Sequence, residues 1–331
     1  MEAFIKEISY YLPEKVLTNE QLSASFPEWS AKKIASKVGV DSRHISSDEE
    51  TATDMAVKAA EKLFTEYNID KSKIDFILFC TQSPDYFLPS SSCLIQNRLG
   101  LSTHCGAFDY NLGCSGFVYG LSIAKGLVFG NIAKNILLLT AETYTKYLHP
   151  EDKGNRTIFG DGAAATLIST DGFARIGDFS LGTDGSGGEN LIVKTGAARH
   201  KEKRNDLHYD KSGNPVSEDF LYMNGGAIFN FSADIVPAMV KEVLLKNNLK
   251  EKDIDLYIFH QANKYMINYL RKLLEIDKES FYISMETTGN TVSSSIPIAM
   301  YMAKKEHRLI GNILLAGFGV GYSFGGTVLY I

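Results

Sequence analysis

Three features of the chain predict an α/β fold built by internal duplication. Apolar runs of strand length alternate with segments of helical periodicity. The run Ile74-Asp75-Phe76-Ile77-Leu78-Phe79-Cys80 recurs, position for position, as Ile254-Asp255-Leu256-Tyr257-Ile258-Phe259-His260. Each copy closes on a glycine-rich turn and strand, Phe159-Gly160-Asp161-Gly162 leading into Ala163–Ile168 and Phe324-Gly325-Gly326 leading into Thr327–Ile331. The duplication divides the chain into halves of residues 1–172 and 173–331. The competing reading is a chance match of two apolar strands, since Ile-Asp followed by hydrophobics is common.

Taken in order, Thr51-Ala52-Thr53-Asp54 reads as a capping box, so a helix carrying Met55, Val57, Ala59 and Leu63 begins there. Strands are expected near Ile74–Cys80, Cys105–Asp109, Asn135–Thr140 and Ala163–Ile168, with a helix near Ser91–Leu99. In the second half, helices are expected near Gly226–Asn247, Lys264–Leu274 and Thr291–Lys304, and strands near Asp255–Phe259 and Asn312–Ala316. The polar, charged stretch from about Glu189 to Tyr222 is expected to be a loop or cap over an active-site entrance.

Cys114, in Asn111-Leu112-Gly113-Cys114-Ser115-Gly116-Phe117, stands where a buried strand should end and an amphipathic helix begin, with Phe117, Val118, Leu121, Ala124, Leu127 and Val128 at helical spacing. A thiol at a helix start meets unsatisfied N–H groups and the positive end of the dipole, which favour thiolate. A packed structural cysteine is the alternative. His260 ends an apolar strand, and Asn290 lies in the polar turn Thr288-Gly289-Asn290-Thr291; strand carboxyl ends are where ligands collect in α/β proteins. Cys114 follows Cys80 by 34 residues and Asn290 follows His260 by 30. Two similar units about a pseudo-twofold axis would therefore turn Cys114, His260 and Asn290 toward one cavity.

Other chemistries find little support. The four cysteines, Cys80, Cys93, Cys105 and Cys114, have no C-x-x-C spacing, no His-Glu-x-x-His helix is present, and no metal is expected. The glycine-rich Gly182–Gly188 segment lacks a Walker lysine and reads as a surface loop. A net charge of −5 and a pI near 5.9 argue against nucleic acid as the main partner. With no apolar targeting segment or bilayer-length run visible, a cytosolic location with reduced cysteines and no membrane span is expected. The basic run Arg199-His200-Lys201-Glu202-Lys203-Arg204 stands against the acidic balance, either as a solvated loop or as a dock for an acidic partner.

The ordered set of Tyr11–Asn19, Gly39–Ile45, the Cys114 motif, Phe159-Gly160-Asp161-Gly162-Ala163, His260-Gln261-Ala262-Asn263, Gly289-Asn290-Thr291 and Gly317-Phe318-Gly319-Val320-Gly321 resembles the β-ketoacyl-acyl-carrier-protein synthase III group of the thiolase superfamily. That resemblance implies an internally duplicated, five-layered α-β-α-β-α thiolase-like fold and a homodimer. It implies transfer of an acyl group from a coenzyme A or carrier-protein thioester to Cys114, followed by decarboxylative Claisen condensation with malonyl-acyl carrier protein. His260 and Asn290 would hold the enolate, and backbone N–H groups of Cys114 and Val320 the tetrahedral oxyanion. Coenzyme A would be a substrate, and no cofactor is implied. Lys37, Phe87, Lys153, Phe229, Asn263 and Phe318 fall at substrate-binding positions. Lys37 and Lys153 replace expected arginines, Tyr265 replaces a third, Gly226 replaces an asparagine, and Val320 stands where glycine is usual. Two alternatives share the fold: acyl transfer to an alcohol or amine without condensation, and a catalytically silent partner subunit.

Overall fold

The computed structural model describes residues 2–211 and 213–331. The first half contains β1 (Phe4–Tyr11), α1 (Ala52–Glu66), β2 (Phe76–Cys80), α2 (Ser91–Arg98), β3 (Gly106–Tyr110), α3 (Gly116–Phe129), β4 (Ile136–Glu142) and β5 (Gly162–Ser169). The second contains β6 (Ala174–Thr183), α4 (Gly225–Lys246), β7 (Leu256–Phe259), α5 (Lys264–Leu273), α6 (Ser295–Lys305), β8 (Asn312–Gly319) and β9 (Ser323–Tyr330).

Nine strands form one mixed sheet in the order β7-β8-β9-β6-β1-β5-β4-β2-β3. Outward from the centre the pairings repeat. β1–β5 and β5–β4 are antiparallel while β4–β2 and β2–β3 are parallel; β6–β9 and β9–β8 are antiparallel while β8–β7 is parallel, and a parallel bridge from Tyr257 to Phe281 stands where β3 stands in the first copy. β1 and β6 join the two sets through the pairs Phe4 with Arg175 and Ile5 with Ala174.

Side chains on successive strand residues face opposite ways, and this sorts the core into layers. Ile77, Phe79, Leu137 and Leu139 pack under α1 and α2 with Met55, Leu63 and Ile95. Their neighbours Leu78 and Leu138 turn inward to Phe117, Leu121 and Val128 of α3 and Ile296 and Met300 of α6. From the other half, Ile313 and Leu315 reach the same inner layer, whereas Leu314 and Ala316 face Val236, Met239 and Val243 of α4 and Ile267 and Leu270 of α5. The layers run α1/α2, first half-sheet, α3/α6, second half-sheet, α4/α5, as a five-layered fold requires.

Most elements fall where the sequence places them. Thr51 accepts from Asp54 N–H at 3.2 Å and Asp54 Oδ2 accepts from Thr51 N–H at 2.8 Å, the reciprocal cap that starts α1. Three expectations are corrected. The helix after Cys114 is apolar over most of its circumference because it lies between two half-sheets, with a narrow stripe of Tyr119, Ser122 and Lys125, of which Tyr119 and Lys125 bond to β6. The strand before it is the half-buried edge strand β3, and not a buried one. The segment after Asn290 opens with a 3₁₀ turn, Val292–Ser294, before α6. Among elements without a sequence signal, β1 has its alternation broken by a bulge between Ile5 and Glu7. The helices Asn19–Ser25 and Ala31–Val38 are short and capped by Thr18 and Ser30. No helix among the described residues is long and apolar enough to cross a membrane.

Candidate active site

Cys114 sits two residues before α3, almost wholly buried, at the start of the helix that both halves share. The strand β8 runs against it. A Cβ built on Gly317 would lie 2.7 Å from the Cys114 carbonyl oxygen, and one on Gly319 would lie 2.8 Å from the Cys114 sulfur, so only glycines permit this approach. His260 follows β7, and its N–H donates to Ala316 O at 2.7 Å. Its ring stands edge-on to Phe318, with centroids 6.0 Å apart. Residues 316–319 thus span from the imidazole to the thiol.

The Asn290 turn closes the site. Phe159-Gly160 clamps it from below: Asn290 N–H donates to Ile158 O at 2.9 Å and Gly160 N–H to Asn290 O at 3.0 Å. Gly160 is required here because its Cβ would stand 2.3 Å from Thr288 O. Asn290 Oδ1 accepts from Val292 N–H at 2.8 Å, which fixes the amide and leaves Nδ2 as its outward donor. Val292, a β-branched residue held at φ 53°, lies beside Gly113, and Ser295 of the same segment meets His260 Nδ1 at 2.7 Å. Strain at such a residue persists where the surroundings over-determine it.

The electrostatics differ from the thiolate that the helix start suggests. Burial pushes the Cys114 thiol up to about 12, with the charge of Glu142 adding to the rise. Hydrogen bonds from the backbone of Val320 and of Cys114 itself oppose it. Burial alone lowers His260 to about 3, so the imidazole is neutral at physiological pH. The resting site holds a neutral thiol and a neutral histidine, because desolvation outweighs the partial charges of the helix start.

The other predicted residues occupy varied settings. Lys37 is exposed, 5.6 Å from the Trp29 ring centroid, and Lys153 is ion-paired to Glu28 at 3.0 Å. Phe229 stacks on Tyr265 with centroids 5.8 Å apart, and Asn263 Oδ1 caps α5 by accepting from Met266 N–H at 2.9 Å. Phe318 is buried behind His260, while Phe87 is 82% exposed and lines a cavity of about 1030 Å³. Val320, Asn111 and Tyr144 reach that cavity from the Cys114 side, and Leu191–Val193, Thr195–Ala197 and Leu221 cover it, as the polar excursion after Glu189 was expected to do. The basic run begins directly beyond the Ala197 rim; within it, Arg204 pairs with Glu218 at 3.4 Å.

Two functional neighbours escaped the sequence reading. Glu142 ends the apolar strand β4 as a wholly buried carboxyl group, accepting from Gln82 N–H at 3.0 Å, Ser83 Oγ at 3.2 Å and Ser293 Oγ at 2.9 Å. It has no ion pair among the described residues. Gln82 holds Tyr144 and Asn111 by its side chain. The available signal for Glu142 was the one used for His260: a polar residue at the carboxyl end of an apolar strand. Among the described residues, no group of three His, Cys, Asp or Glu side chains is placed to hold a metal ion.

Residues 108–185 match the family model described as 3-oxoacyl-[acyl-carrier-protein (ACP)] synthase III, and residues 244–331 match that of its C-terminal region. The chain is 37% identical over 322 residues to a β-ketoacyl-[acyl-carrier-protein] synthase III of Clostridium perfringens, covering 96% of each chain. It is 33% identical to the protein of that name from Fusobacterium nucleatum, covering 98% of this chain and 97% of the other. A solved 3-oxoacyl-(acyl-carrier-protein) synthase III superposes over all of both chains with a TM-score of 0.98 at 46% identity. A 3-oxoacyl-(acyl-carrier protein) synthase from Burkholderia xenovorans superposes with a TM-score of 0.92 at 30% identity, covering all of this chain and 94% of the other.

Proposed function

Because the chain belongs to the 3-oxoacyl-[acyl-carrier-protein] synthase III family of condensing enzymes, we propose that it joins an acyl group carried on Cys114 to malonyl-acyl carrier protein, with loss of carbon dioxide. The observation that carries this reading is the meeting of Cys114, His260 and the Asn290 turn around residues 316–320. In the first stage the Cys114 sulfur attacks the thioester carbon, and coenzyme A leaves as its thiol with the cysteine proton. The oxyanion formed at that carbon would be met by the backbone N–H groups of Cys114 and Val320, which hydrogen-bond the resting thiol. The same two donors help the thiol ionise as attack proceeds.

In the second stage the malonyl carboxylate leaves as carbon dioxide, and the enolate attacks the acyl carbon. The enzyme sulfur departs and takes up one proton. Enolate charge on the thioester oxygen would be met by Asn290 Nδ2 and by His260 Nε2. Ser295 Oγ lies 2.7 Å from His260 Nδ1 and can donate its proton there, which would leave the imidazole proton on Nε2. A neutral histidine suits a donor whose task is to share a proton without surrendering it. The reaction calls for no metal or organic cofactor.

The functional unit comprises the halves 1–172 and 173–331, whose strand orders mirror each other. The exposed Tyr86, Phe87 and Leu88 and the open edge of β3 with Phe108 favour a homodimer. The run Arg199–Arg204 at the cavity rim would attract an acidic carrier in a cytosolic setting. Reversing Lys201, Lys203 and Arg204 to Glu raises the carrier KM and flattens its salt dependence on this reading; unchanged values remove the run from docking. The reaction is tested by intact-protein mass spectrometry after incubation with acyl-coenzyme A and acyl-carrier thioesters, followed by malonyl-acyl carrier protein. A Cys114 adduct that disappears as β-ketoacyl product forms is expected. An adduct indifferent to malonyl carrier would indicate transfer to another acceptor, and no adduct a silent subunit.

A further inference from the structure

The cavity beside Cys114 does not have a uniformly hydrocarbon wall. One part of it is apolar, with Leu191, Ile192, Val193 and Leu221. Another part, against the Gly113-Cys114 turn, is polar and fixed. Tyr144 Oη donates to Gln82 Oε1 at 2.5 Å, and Gln82 Nε2 donates to Asn111 Oδ1 at 3.0 Å. Gln82 is immobilised from its backbone as well, since Tyr147 Oη donates to its carbonyl at 2.8 Å and its N–H donates to the buried Glu142. This polar wall stands against the catalytic segment: a Cβ on Gly113, the residue before Cys114, would meet Gln82 Oε1 at 2.6 Å and Val320 Cγ1 at 2.7 Å.

The relay ends on Asn111. Its oxygen is occupied by Gln82, and its Nδ2 has no hydrogen-bond partner among the described residues, although the residue is exposed to the cavity. A saturated acyl chain passing this wall would leave the amide unpaired on one side and gain nothing from it. An acyl group with an oxygen close to its thioester end would accept from Nδ2, while its tail lay on the apolar part of the wall. A hydroxyl fits best, since it both accepts and donates and so pairs with either end of a carboxamide.

We propose that the cavity selects a short or medium acyl donor hydroxylated near the thioester, with Asn111 as the residue that reads the hydroxyl. This rests on Cys114 being the acylated nucleophile. The test compares Cys114 acylation rates from 3-hydroxybutyryl-coenzyme A and butyryl-coenzyme A by intact-protein mass spectrometry, in the wild type and in Asn111→Leu. The butyryl rate in each protein serves as the internal standard against misfolding. The wild type should favour the hydroxylated donor at least tenfold, and Asn111→Leu should bring the ratio to about one or below. Equal rates in the wild type, a preference for butyryl, or a ratio that survives Asn111→Leu each overturn the proposal while leaving the nucleophile intact. If no thioester acylates Cys114 in folded protein, the reading of the reaction falls, and this one with it.

Discussion

Replacing Glu142 by glutamine should change how stability depends on pH in a calculable way. Burial raises this carboxyl from the ordinary 4.5 to about 8, against the opposing hydrogen bonds of Gln82, Ser83 and Ser293. Below pH 4.5 the group is protonated in both folded and unfolded chains. Between 4.5 and 8 the folded protein holds a proton that the unfolded chain has released, so stability falls by about 1.4 kcal/mol per pH unit, roughly 5 kcal/mol across the window. Glutamine fits the same cage. Its oxygen can take the Gln82 N–H and Ser83 hydroxyl, and its amide can donate to Ser293, whose hydroxyl is free to rotate. Urea unfolding at pH 5, 6, 7 and 8, followed by circular dichroism, should show the stability of Glu142→Gln relative to the wild type rising by roughly 3 kcal/mol from pH 5 to 7. Asp161, also raised by burial, is present in both proteins and largely cancels in the difference. A difference that does not vary with pH would refute the reasoning.

Cys114→Ala should abolish acylation with little change in melting temperature, as read by mass spectrometry and calorimetry. His260→Ala and Asn290→Ala should each slow malonyl decarboxylation by about 10²–10³-fold, the usual effect of deleting one oxyanion donor, while acylation falls less; decarboxylation at the wild-type rate in both would end the role assignment. With His260 near 3, the decarboxylation rate measured in the Cys114→Ala background should show no histidine inflection between pH 5 and 8. Gly160→Ala drives a methyl group into Thr288 O and should cost about 1–3 kcal/mol in urea unfolding, together with a loss of decarboxylation as the Asn290 turn is displaced.

The strands with unbroken apolar runs, β2, β4, β7 and β8, were legible because burial on both faces leaves no choice of residue. β1 was not: it is equally central, yet its surface alternation is interrupted at Lys6 and Glu7, where the bulge shifts its register. Cys114, His260 and Asn290 could be picked out because strand ends and glycine turns mark themselves locally. The ionisation of the site could not, because the position of Cys114 in the chain says nothing of the second half-sheet that desolvates it. Asn111 and Gln82 were invisible for a related reason. Each is an ordinary loop residue until the fold places one against the other across 29 residues of chain.

The shared position of α3 bears on how the protein is made. This helix is apolar over most of its surface, and its inner neighbours Ile313, Leu315 and Leu329 lie in the second half, some 190 residues or more further along the chain. During synthesis at about 5–20 residues per second, the first half would emerge with that surface uncovered for roughly 10–30 s before its complement exists. The nucleophile at the start of α3 lacks its β8 backing throughout that interval, so the nascent half is inert toward thioesters and at the same time exposed to aggregation. A chaperone holding the first half on the ribosome would therefore protect yield without having to restrain chemistry.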